Sequence, residues 1–283
     1  MNDIDKKTFF VGIGAQKAGT TWLADYLSQH PEVSFSPIKE LHYFSRKYLG
    51  KDFRDIFVKK ISNSLKNIKS NRDNKSKINF HMNRIMRSVE VLCIEDDDDY
   101  KNYFKRHLNE DSKAFGEITP AYSMLDKNAF ENIYELYPEV KFLFGMRSPV
   151  ERFWSHLRYV KNFNPDFDPM IEFENRLQDK EFTLRTDYKR TITELESIVP
   201  KEKIFYYFYE DLFGETGDEV LRSLTEFLDL KYIAPDFSKS VNVSKRVEMP
   251  PEMRKMTQKE FEEVINFVKE KFRRVPENWI LPT

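Results

Sequence analysis

The sequence has very little cysteine and no evident set of metal ligands. Cys93 is the single cysteine among 283 residues, so no disulfide can form within the chain and a reducing compartment is favoured. No CxxC pair and no cluster of histidines has the spacing of a zinc site. These absences exclude a disulfide-stabilised scaffold, and we expect no metal cofactor.

The chain also lacks an excess of charge and a long apolar run. It contains 46 Lys and Arg against 47 Asp and Glu, a net charge of −1, whereas a general nucleic-acid binder shows a basic excess. Segment 1–7 is polar, without the apolar stretch of a signal peptide or membrane anchor. We therefore expect a cytoplasmic protein that binds no nucleic acid and does not span a membrane.

The most informative segment lies near the N-terminus. An apolar run at 9–11 predicts a strand, which is followed by a glycine-containing turn and then by a helical pattern. This order directs backbone N–H groups and a helix N-terminus at an anion. The spacing from Gly14 to Thr21 nearly fits the Walker phosphate-binding loop, but Thr20 stands in the place of its lysine. The nearest lysine, Lys17, lies inside the loop instead.

A second candidate anion site follows another apolar run. Residues 140–146 predict a buried strand that ends at Arg147. The start of the next helix is predicted by a serine N-cap, a proline in the first turn and a glutamate that completes a capping box, namely Ser148, Pro149 and Glu151. Ser155 projects away from the apolar stripe of this helix. Arg147 could be only an ion-pair partner and Ser155 only a solvated serine, but both candidate sites lie where open α/β sheets bind ligands.

These segments resemble the donor-binding motifs of the 3'-phosphoadenylylsulfate (PAPS)-dependent sulfotransferases. The loop at 16–22, Gln-Lys-Ala-Gly-Thr-Thr-Trp, is similar to the 5'-phosphosulfate loop of that family, and Arg147 and Ser155 match the residues that hold the 3'-phosphate. The stretch 114–122 looks like the family's G-E-x-T-P-x-Y segment. The resemblance implies PAPS as co-substrate, bound by Gln16, Lys17, Ala18, Gly19, Thr20, Thr21, Trp22, Arg147, Ser155, Lys245 and Arg246.

The resemblance also assigns roles within this set. Lys17 would offset the charge that builds on the bridging oxygen as adenosine 3',5'-bisphosphate (PAP) leaves, and a monoanionic sulfuryl group would need no Mg²⁺. Trp22 would stack on the adenine, as in cytosolic members, or else anchor the first helix in the core. Lys245 and Arg246 would fold over the 3'-phosphate, or else be ordinary surface charge.

The acceptor hydroxyl needs a base, and residues 39–44 contain two candidates. This segment resembles the K-E-x-H-F-F stretch of heparan-sulfate-type sulfotransferases, whose glutamate takes the acceptor proton, so Glu40 is the first candidate. Glu40 can serve if burial raises its pKa toward neutrality, although a purely structural salt bridge is the alternative. His42 has the more suitable ordinary pKa and shares a face with Glu40 if the segment is extended. Glu117 is a third candidate, expected to be structural or to orient the substrate.

The pattern of the whole chain predicts an α/β fold. Short apolar runs alternate with helical patterns, which favours a parallel sheet covered by helices on both faces, and the resemblance implies the three-layer P-loop-like form of this fold. Strands are predicted at 33–35, 113–116 and 204–209, and helices at 126–137, 183–198, 218–228 and 252–272.

We expect a single domain over 1–283 with a helical insertion at about 45–110 that shapes the acceptor side. Apolar residues at helical spacing indicate an amphipathic helix at 57–68, and the polar stretch 69–79 predicts a mobile surface loop. The acidic run 95–99 predicts a helix start, since carboxylates are favourable at a helix N-terminus.

The sequence thus predicts a soluble sulfotransferase that acts on a hydroxyl of a carbohydrate or small molecule. An ATP-dependent kinase of the P-loop fold is the first alternative and would need Mg²⁺, and a non-catalytic PAP-binding module is the second. Resemblance around Glu40 points to carbohydrate acceptors, and resemblance around Trp22 allows lipid, polyketide or phenolic hydroxyls. Because Golgi members of the family carry a membrane anchor, we expect a bacterial member or a trimmed catalytic domain.

Overall fold

A computed structural model describes residues 3–237 and 247–280 of the chain. Its centre is a sheet of five parallel strands in the order β2-β3-β1-β4-β5, which confirms the predicted α/β class. The strands are β1 Thr8–Gly14, β2 Val33–Phe35, β3 Ala114–Ile118, β4 Lys141–Met146 and β5 Ile204–Phe208.

Helices cover both faces of this sheet. The α-helices of the described residues are α1 Thr20–Ser28, α2 Tyr43–Tyr48, α3 Arg54–Ser70, α4 Lys75–Leu92, α5 Asp97–His107, α6 Lys127–Leu136, α7 Pro149–Phe163, α8 Phe173–Gln178, α9 Lys180–Leu184, α10 Tyr188–Glu196, α11 Tyr209–Leu212, α12 Gly217–Phe227, α13 Pro251–Glu260 and α14 Glu262–Phe272. Short 3₁₀ helices lie at Asp3–Lys6, Pro120–Met124, Lys201–Lys203 and Glu277–Trp279.

The central strand β1 shows how the sequence produces the three layers. Phe9 and Val11 point to one face, where they pack in a core with residues of α5, α6, α10 and α14. Phe10 points to the other face, where it packs with residues of α1 and α12. Because successive side chains of a strand alternate between faces, a strand buried on both sides reads as a continuous apolar run.

The sheet brings the carboxyl ends of its strands to one edge. β1 ends at Gly14 and β4 ends at Met146, next to it in the sheet. β3 flanks β1 on the other side, with Val11 opposite Glu117. Both predicted anion sites therefore follow the carboxyl ends of strands, as the sequence indicates, and these two strands are neighbours in the sheet.

The segment between β2 and β3 is helical, but it differs from the sequence prediction in one place. The prediction of a mobile loop at 69–79 is wrong, because α3 continues to Ser70 and α4 begins at Lys75. Only a short turn remains, and Asn74 caps α4 by accepting a hydrogen bond from the Lys77 amide at 3.0 Å. Polar composition here reflects the exposed surface of a helical hairpin. The predicted start after the acidic run is confirmed, with Asp96 as the N-cap of α5.

Two of the predicted helices are interrupted in the structure. The range predicted as one helix at 183–198 contains the end of the short α9 and the whole of α10. The helix predicted at 252–272 is interrupted at Phe261, between α13 and α14. The predicted strand 204–209 ends one residue earlier, where Tyr209 begins α11. Among the described residues, no helix has both the length and the apolar character required to cross a bilayer.

Candidate active site

The loop between β1 and α1 presents a set of unpaired backbone donors. Within the described residues, no acceptor meets the backbone N–H groups of Lys17, Gly19, Thr20 and Thr21. The N-cap position of α1 supplies no side-chain hydrogen bond either. Free N–H groups at a helix N-terminus form a binding site for a phosphate or sulfate group.

Backbone geometry explains why the loop has this sequence. Gly19 has a φ of +76° as the N-cap of α1, and a Cβ there would lie 2.5 Å from the ring of Phe213. Lys17 also has a left-handed φ of 71°. Such a conformation is unfavourable for a residue with a Cβ, so the surrounding contacts must hold Lys17 in place.

Arg147 supplies one of those contacts and joins the two predicted anion sites. Its Nη1 donates a hydrogen bond to the Lys17 carbonyl oxygen at 3.0 Å. Its guanidinium carbon lies 4.4 Å from the centre of the Tyr209 ring, and its buried Nε has no hydrogen-bond partner in residues 3–237 and 247–280. The hydroxyl of Tyr188 donates to the Arg147 carbonyl at 2.8 Å and so fixes the backbone of this residue. The guanidinium therefore retains a donor for a ligand beside the loop.

Ser155 lies on α7, which begins directly after Arg147. It is buried, with 8% exposure, and its hydroxyl has no hydrogen-bond partner among the described residues. Ser148 caps this helix as predicted, accepting from the Glu151 amide at 3.4 Å. The prediction that Glu151 completes a capping box is wrong. The Ser148 amide donates to Glu210 at 2.9 Å instead, and Glu151 pairs with Arg254.

The ammonium of Lys17 lies among positive charges. It rests on the ring of Tyr159 at 4.3 Å from the centroid, and no carboxylate of the described chain lies within ion-pair distance of it. Burial, followed by the charges of Arg147, Arg158 and Lys39, lowers the pKa of Lys17 to about 8. A buried cation with such neighbours is unfavourable on its own, so the site favours an anionic ligand.

Sequence reasoning missed further cationic and polar residues of this region. Arg152 is fully buried and donates to Thr186 Oγ1 at 2.7 Å, while its Nη1 finds no partner in the part of the chain that the structure describes. His156 stacks on Phe182 with 4.0 Å between the ring centres, and burial together with Arg152 lowers its pKa strongly, so this imidazole is neutral. Both residues lie on the α7 helix that follows Arg147, but their helical spacing alone does not distinguish them from surface residues.

Trp22 is part of the core and also borders an open pocket. It is 7% exposed, and the rings of Tyr26 and Phe237 lie parallel to it at 5.8 and 5.2 Å. The pocket beside it has a volume of about 270 Å³ and is lined by Asp25, His30 and the 233–236 segment. The position of Trp22 is thus compatible with both roles that the sequence left open.

Glu40 and His42 are brought together, but not by an extended strand. Both have left-handed φ values, 67° and 57°, so the alternation predicted for the segment is wrong. The Nε2 atom of His42 is nevertheless 3.6 Å from Glu40 Oε2, and Lys39 forms an ion pair with the same carboxylate. Burial alone would raise the pKa of Glu40, but His42 and Lys39 outweigh it and hold the pKa at about 2. The condition under which Glu40 could serve as a base, a pKa raised toward neutrality by burial, is therefore not met in the free protein.

Lys39 links the candidate base to the donor loop electrostatically. It forms an ion pair with Glu40, and its charge helps to lower the pKa of Lys17, after burial and the charges of Arg147 and Arg158. Burial and, after it, the charge of Glu40 raise the pKa of Tyr159, whose ring carries the Lys17 ammonium. Glu40 therefore acts on the surroundings of the donor-loop lysine. Lys245 and Arg246, the remaining predicted donor residues, lie outside the described residues.

Glu117 holds the segment that carries Glu40 and His42. This fully buried carboxylate accepts four hydrogen bonds, from the Leu41 amide, the Thr119 hydroxyl and the Tyr100 and Tyr122 hydroxyls. Tyr122 in turn accepts from the Phe44 amide at 3.4 Å. The G-E-x-T-P-x-Y stretch therefore fixes the backbone on both sides of His42, and Glu117 positions this segment.

An N–H cradle joined to a second cationic site, at one edge of a parallel sheet, is an arrangement suited to a ligand with separate anionic groups. Residues 10–234 match the model of the sulfotransferase family. The chain belongs to the sulfotransferase family, as its motifs predict.

Named relatives agree with this family. The chain is 30% identical to carbohydrate sulfotransferase 15 of Rattus norvegicus and 28% identical to that of Homo sapiens, over 60% of this chain and 32% of each relative. It thus spans about a third of the length of these relatives.

Two solved structures show the same fold. A sulfotransferase from Alicyclobacillus acidocaldarius has a TM-score of 0.67 at 21% identity, covering 96% of this chain and 98% of that one. A sulfotransferase from Mycobacterium avium has a TM-score of 0.50 at 14% identity, covering 94% and 78%. The three-layer P-loop-like α/β architecture is confirmed.

We predict that Glu117→Gln destabilises the protein by about 2–4 kcal/mol, because a buried amide N–H₂ would face groups that now donate to a carboxylate. Urea unfolding followed by circular dichroism measures the change. Glu139→Gln, at a side chain 83% exposed, is the matched control and should change stability by no more than about 0.5 kcal/mol. Equal losses in both variants would contradict the positioning role of Glu117.

Proposed function

We propose that this protein transfers a sulfuryl group from PAPS to a hydroxyl of a carbohydrate or small-molecule acceptor and releases PAP. The observation that carries the proposal is the hydrogen bond from Arg147 Nη1 to the Lys17 carbonyl. It joins a loop with free backbone donors to a second cationic site, as a donor with a 5'-phosphosulfate and a 3'-phosphate requires.

The residues present fit such a donor. The free N–H groups of Gly19, Thr20 and Thr21 would bind the 5'-phosphate, with the threonine hydroxyls as further donors. Arg147, with its unpaired Nε, and the unpartnered hydroxyl of Ser155 would bind the 3'-phosphate. The adenine would stack on Trp22 and displace the ring of Phe237 from that position. Lys245 and Arg246 are proposed as further contacts to the 3'-phosphate.

Transfer requires an in-line arrangement of the acceptor oxygen, the sulfur and the leaving oxygen. The acceptor oxygen forms the new S–O bond while the S–O bond to the 5'-phosphate breaks. Lys17 would stabilise the negative charge that grows on the leaving phosphate oxygen. Burial and, after it, the neighbouring cations lower the pKa of Lys17, and the arrival of the anionic donor would favour its charged form.

Glu40 is the proposed base for the acceptor proton, with His42 beside it. Its electrostatic influence on Tyr159, whose ring carries the Lys17 ammonium, supports this assignment. Its low pKa makes Glu40 a weak base as long as Lys39 and His42 pair with it. Entry of the acceptor would have to release one of these contacts for the carboxylate to accept a proton efficiently.

The alternatives remain distinguishable by experiment. An ATP-dependent kinase is disfavoured by Thr20 in the place of the Walker lysine, and a non-catalytic PAP-binding module would give Glu40 no role. For the location of the protein, we propose the cytoplasm, which is supported by the single cysteine Cys93.

We predict that PAP raises the melting temperature of the protein far more than ATP does, without added Mg²⁺, because a ligand bound only by the folded state stabilises it. Differential scanning fluorimetry measures the shift. Arg147→Ala should abolish most of it, whereas Arg254→Ala, which removes an arginine paired with Glu151, should preserve it. Equal stabilisation by ATP that depends on Mg²⁺ would support the kinase alternative instead.

We also predict that PAP affinity falls as the pH rises above about 8. Free Lys17 has a pKa near 8, and a bound anion favours its charged form, so binding takes up a proton once the free lysine is neutral. The dissociation constant should then rise by up to about tenfold per pH unit until the pKa of the bound form is reached. Isothermal titration calorimetry between pH 7 and 9.5 measures this. In Lys17→Arg, whose guanidinium stays charged, the rise should disappear; if it persists there, Lys17 is not the titrating group.

A further prediction concerns the base that accepts the acceptor proton. Glu40→Gln retains the shape but removes the basicity, so PAP affinity should stay close to wild type while the single-turnover transfer rate falls by about 10²–10⁴-fold. His42→Ala should lower the rate less if the imidazole only contacts Glu40. Rapid-quench measurements with saturating PAPS and acceptor compare the two variants. If the single-turnover rate of Glu40→Gln equals that of the wild type, Glu40 is not the base, and His42 becomes the first candidate.

A further inference from the structure

The helices α3 and α4 form a hairpin that packs chiefly on itself. Among the described elements, each of the two helices packs more extensively on the other than on any further helix or strand. The seam between them consists of buried and half-buried positions at helical spacing, which are 57, 61, 64 and 68 in α3 and 78, 81, 85 and 88 in α4. Most of the remaining positions of both helices are exposed.

This exposed surface is rich in large apolar side chains. Seven of them lie between 54 and 92, namely Ile56, Val58, Leu65, Phe80, Met82, Met86 and Val89. Met86 is 60% exposed and Val58 is 52% exposed. A contiguous apolar patch is uncommon on the surface of a soluble protein and marks an interaction site. Their arrangement around the two helices therefore decides whether the hairpin presents such a patch.

Five of the seven lie on one side of the hairpin. In antiparallel helices, residues displaced from the seam in the same rotational sense fall on the same side. Because the turn at 71–74 is short, Val58 then lies level with Met86, and Leu65 lies near Met82. The five form one continuous patch, here called the apolar face, which consists of Val58, Leu65, Met82, Met86 and Val89.

The opposite side of the hairpin has no such patch. It carries Ile56 and Phe80, which are 38% and 63% exposed. The same geometry places Lys60 and Arg84 level with each other, between these two apolar residues. The apolar surface on that side is therefore interrupted by charge, and the apolar face is the better candidate for an interaction surface.

The hairpin is also strongly basic. Residues 54–92 contain ten Lys and Arg against three Asp and Glu, a net charge of +7, whereas the whole chain has −1. Cations surround the apolar face, namely Arg54 at its base, Lys59 and Lys66 along the outer edge of α3, and Lys69 and Lys75 at the tip. These four lysines form no ion pair within the described chain. Their charge is thus available to an anionic partner.

We propose that the apolar face docks on an anionic lipid bilayer, with the surrounding cations at the phosphate headgroups. Amphipathic helices of this kind lie in the bilayer surface and bury their apolar side to a depth of about 5–10 Å. Lysine side chains can extend along that apolar surface and keep their ammonium groups among the headgroups. The contact is peripheral and reversible, and it is independent of sulfuryl transfer. The anionic cytoplasmic leaflet agrees with the location proposed above.

Charge favours a bilayer over a second copy of this chain. Pairing of two apolar faces would bring together two units of the same net charge, with their lysines at close range. The three acidic residues of the hairpin, Asp55, Asp73 and Glu90, are not part of the apolar face. An identical face therefore offers no complementary charge. An anionic bilayer provides both an apolar interior and phosphate groups that neutralise the lysines.

Two pairs of methionines allow a matched test. Met82→Gln/Met86→Gln, the apolar-face variant, removes two side chains from the proposed contact. The control, Met170→Gln/Met256→Gln, makes the same change at methionines outside the hairpin that are 44% and 43% exposed. Flotation measures binding to vesicles of equal parts phosphatidylglycerol and phosphatidylcholine at several salt concentrations, with pure phosphatidylcholine as the neutral surface. Circular dichroism reports whether each variant is folded, and PAP binding is measured separately without vesicles.

The wild type should bind the anionic vesicles and lose affinity as the salt concentration rises. Pure phosphatidylcholine should be bound at least about tenfold more weakly, since it offers no net negative charge. The apolar-face variant should weaken binding to the anionic vesicles by about tenfold or more, because two apolar side chains no longer leave water. The methionine control should change it by less than about twofold.

A second pair of variants tests the surrounding cations. Lys69→Gln/Lys75→Gln should weaken binding to the anionic vesicles by about tenfold and reduce its dependence on salt, because each cation near the surface contributes to the attraction. The matched control, Lys255→Gln/Lys259→Gln, removes two exposed lysines of α13. It should change binding by less than about twofold.

Absence of binding to anionic vesicles at low salt would overturn the proposal, as would equal weakening by both methionine pairs. Loss of binding in Ile56→Gln/Phe80→Gln but not in the apolar-face variant would overturn it by placing the contact on the opposite side. So would a wild type that binds no vesicles and forms a dimer in ultracentrifugation that the apolar-face variant dissociates, since a second copy would then cover the face. Failure of the wild type to bind PAP would refute the proposed function and leave the vesicle result standing.

Discussion

The buried carboxylate of Glu117 is the interaction on which the rest of the site depends. It lies in β3, opposite Val11 of β1, and accepts hydrogen bonds from Leu41, Thr119, Tyr100 and Tyr122. Burial raises the pKa of Glu117, whereas these hydrogen bonds oppose that rise. A buried charge is tolerated only when its acceptor sites are satisfied, so the donors and the carboxylate must assemble together.

The donor side of the site differs, because it carries an excess of positive charge. The charges of Arg147 and Arg152 both act on Lys17, and within the described residues Arg147 Nε and Arg152 Nη1 have no hydrogen-bond partner. Arg147 nevertheless stabilises the free protein by bonding to the carbonyl of Lys17 and by packing on Tyr209. The site thus keeps its shape while it retains unsatisfied positive charge for a ligand.

Much of this could be predicted from the sequence, because the strands are continuous apolar runs and the donor loop has a local signature. The parallel sheet, the start of α7 at Ser148 and the sulfotransferase family are examples. Contacts between distant segments could not be predicted. The cap of α7 is completed by Glu210 rather than Glu151, and the left-handed Glu40 and His42 depend on hydrogen bonds to Glu117 and Tyr122. The polar stretch 69–79 predicts a longer loop than the turn at 71–74, because solvated helices and loops share a polar composition.

The segment between β2 and β3, which contains the α3–α4 hairpin, can change in length without altering the sheet. β2 and β3 are adjacent, with Phe35 opposite Gly116, so the ends of the long segment between them are held at a fixed separation. The entropy lost on closing a loop grows only slowly with its length. Residues can therefore be added to or removed from this segment at small thermodynamic expense, and the surface next to Glu40 can change without any alteration of the strands that carry the donor loop.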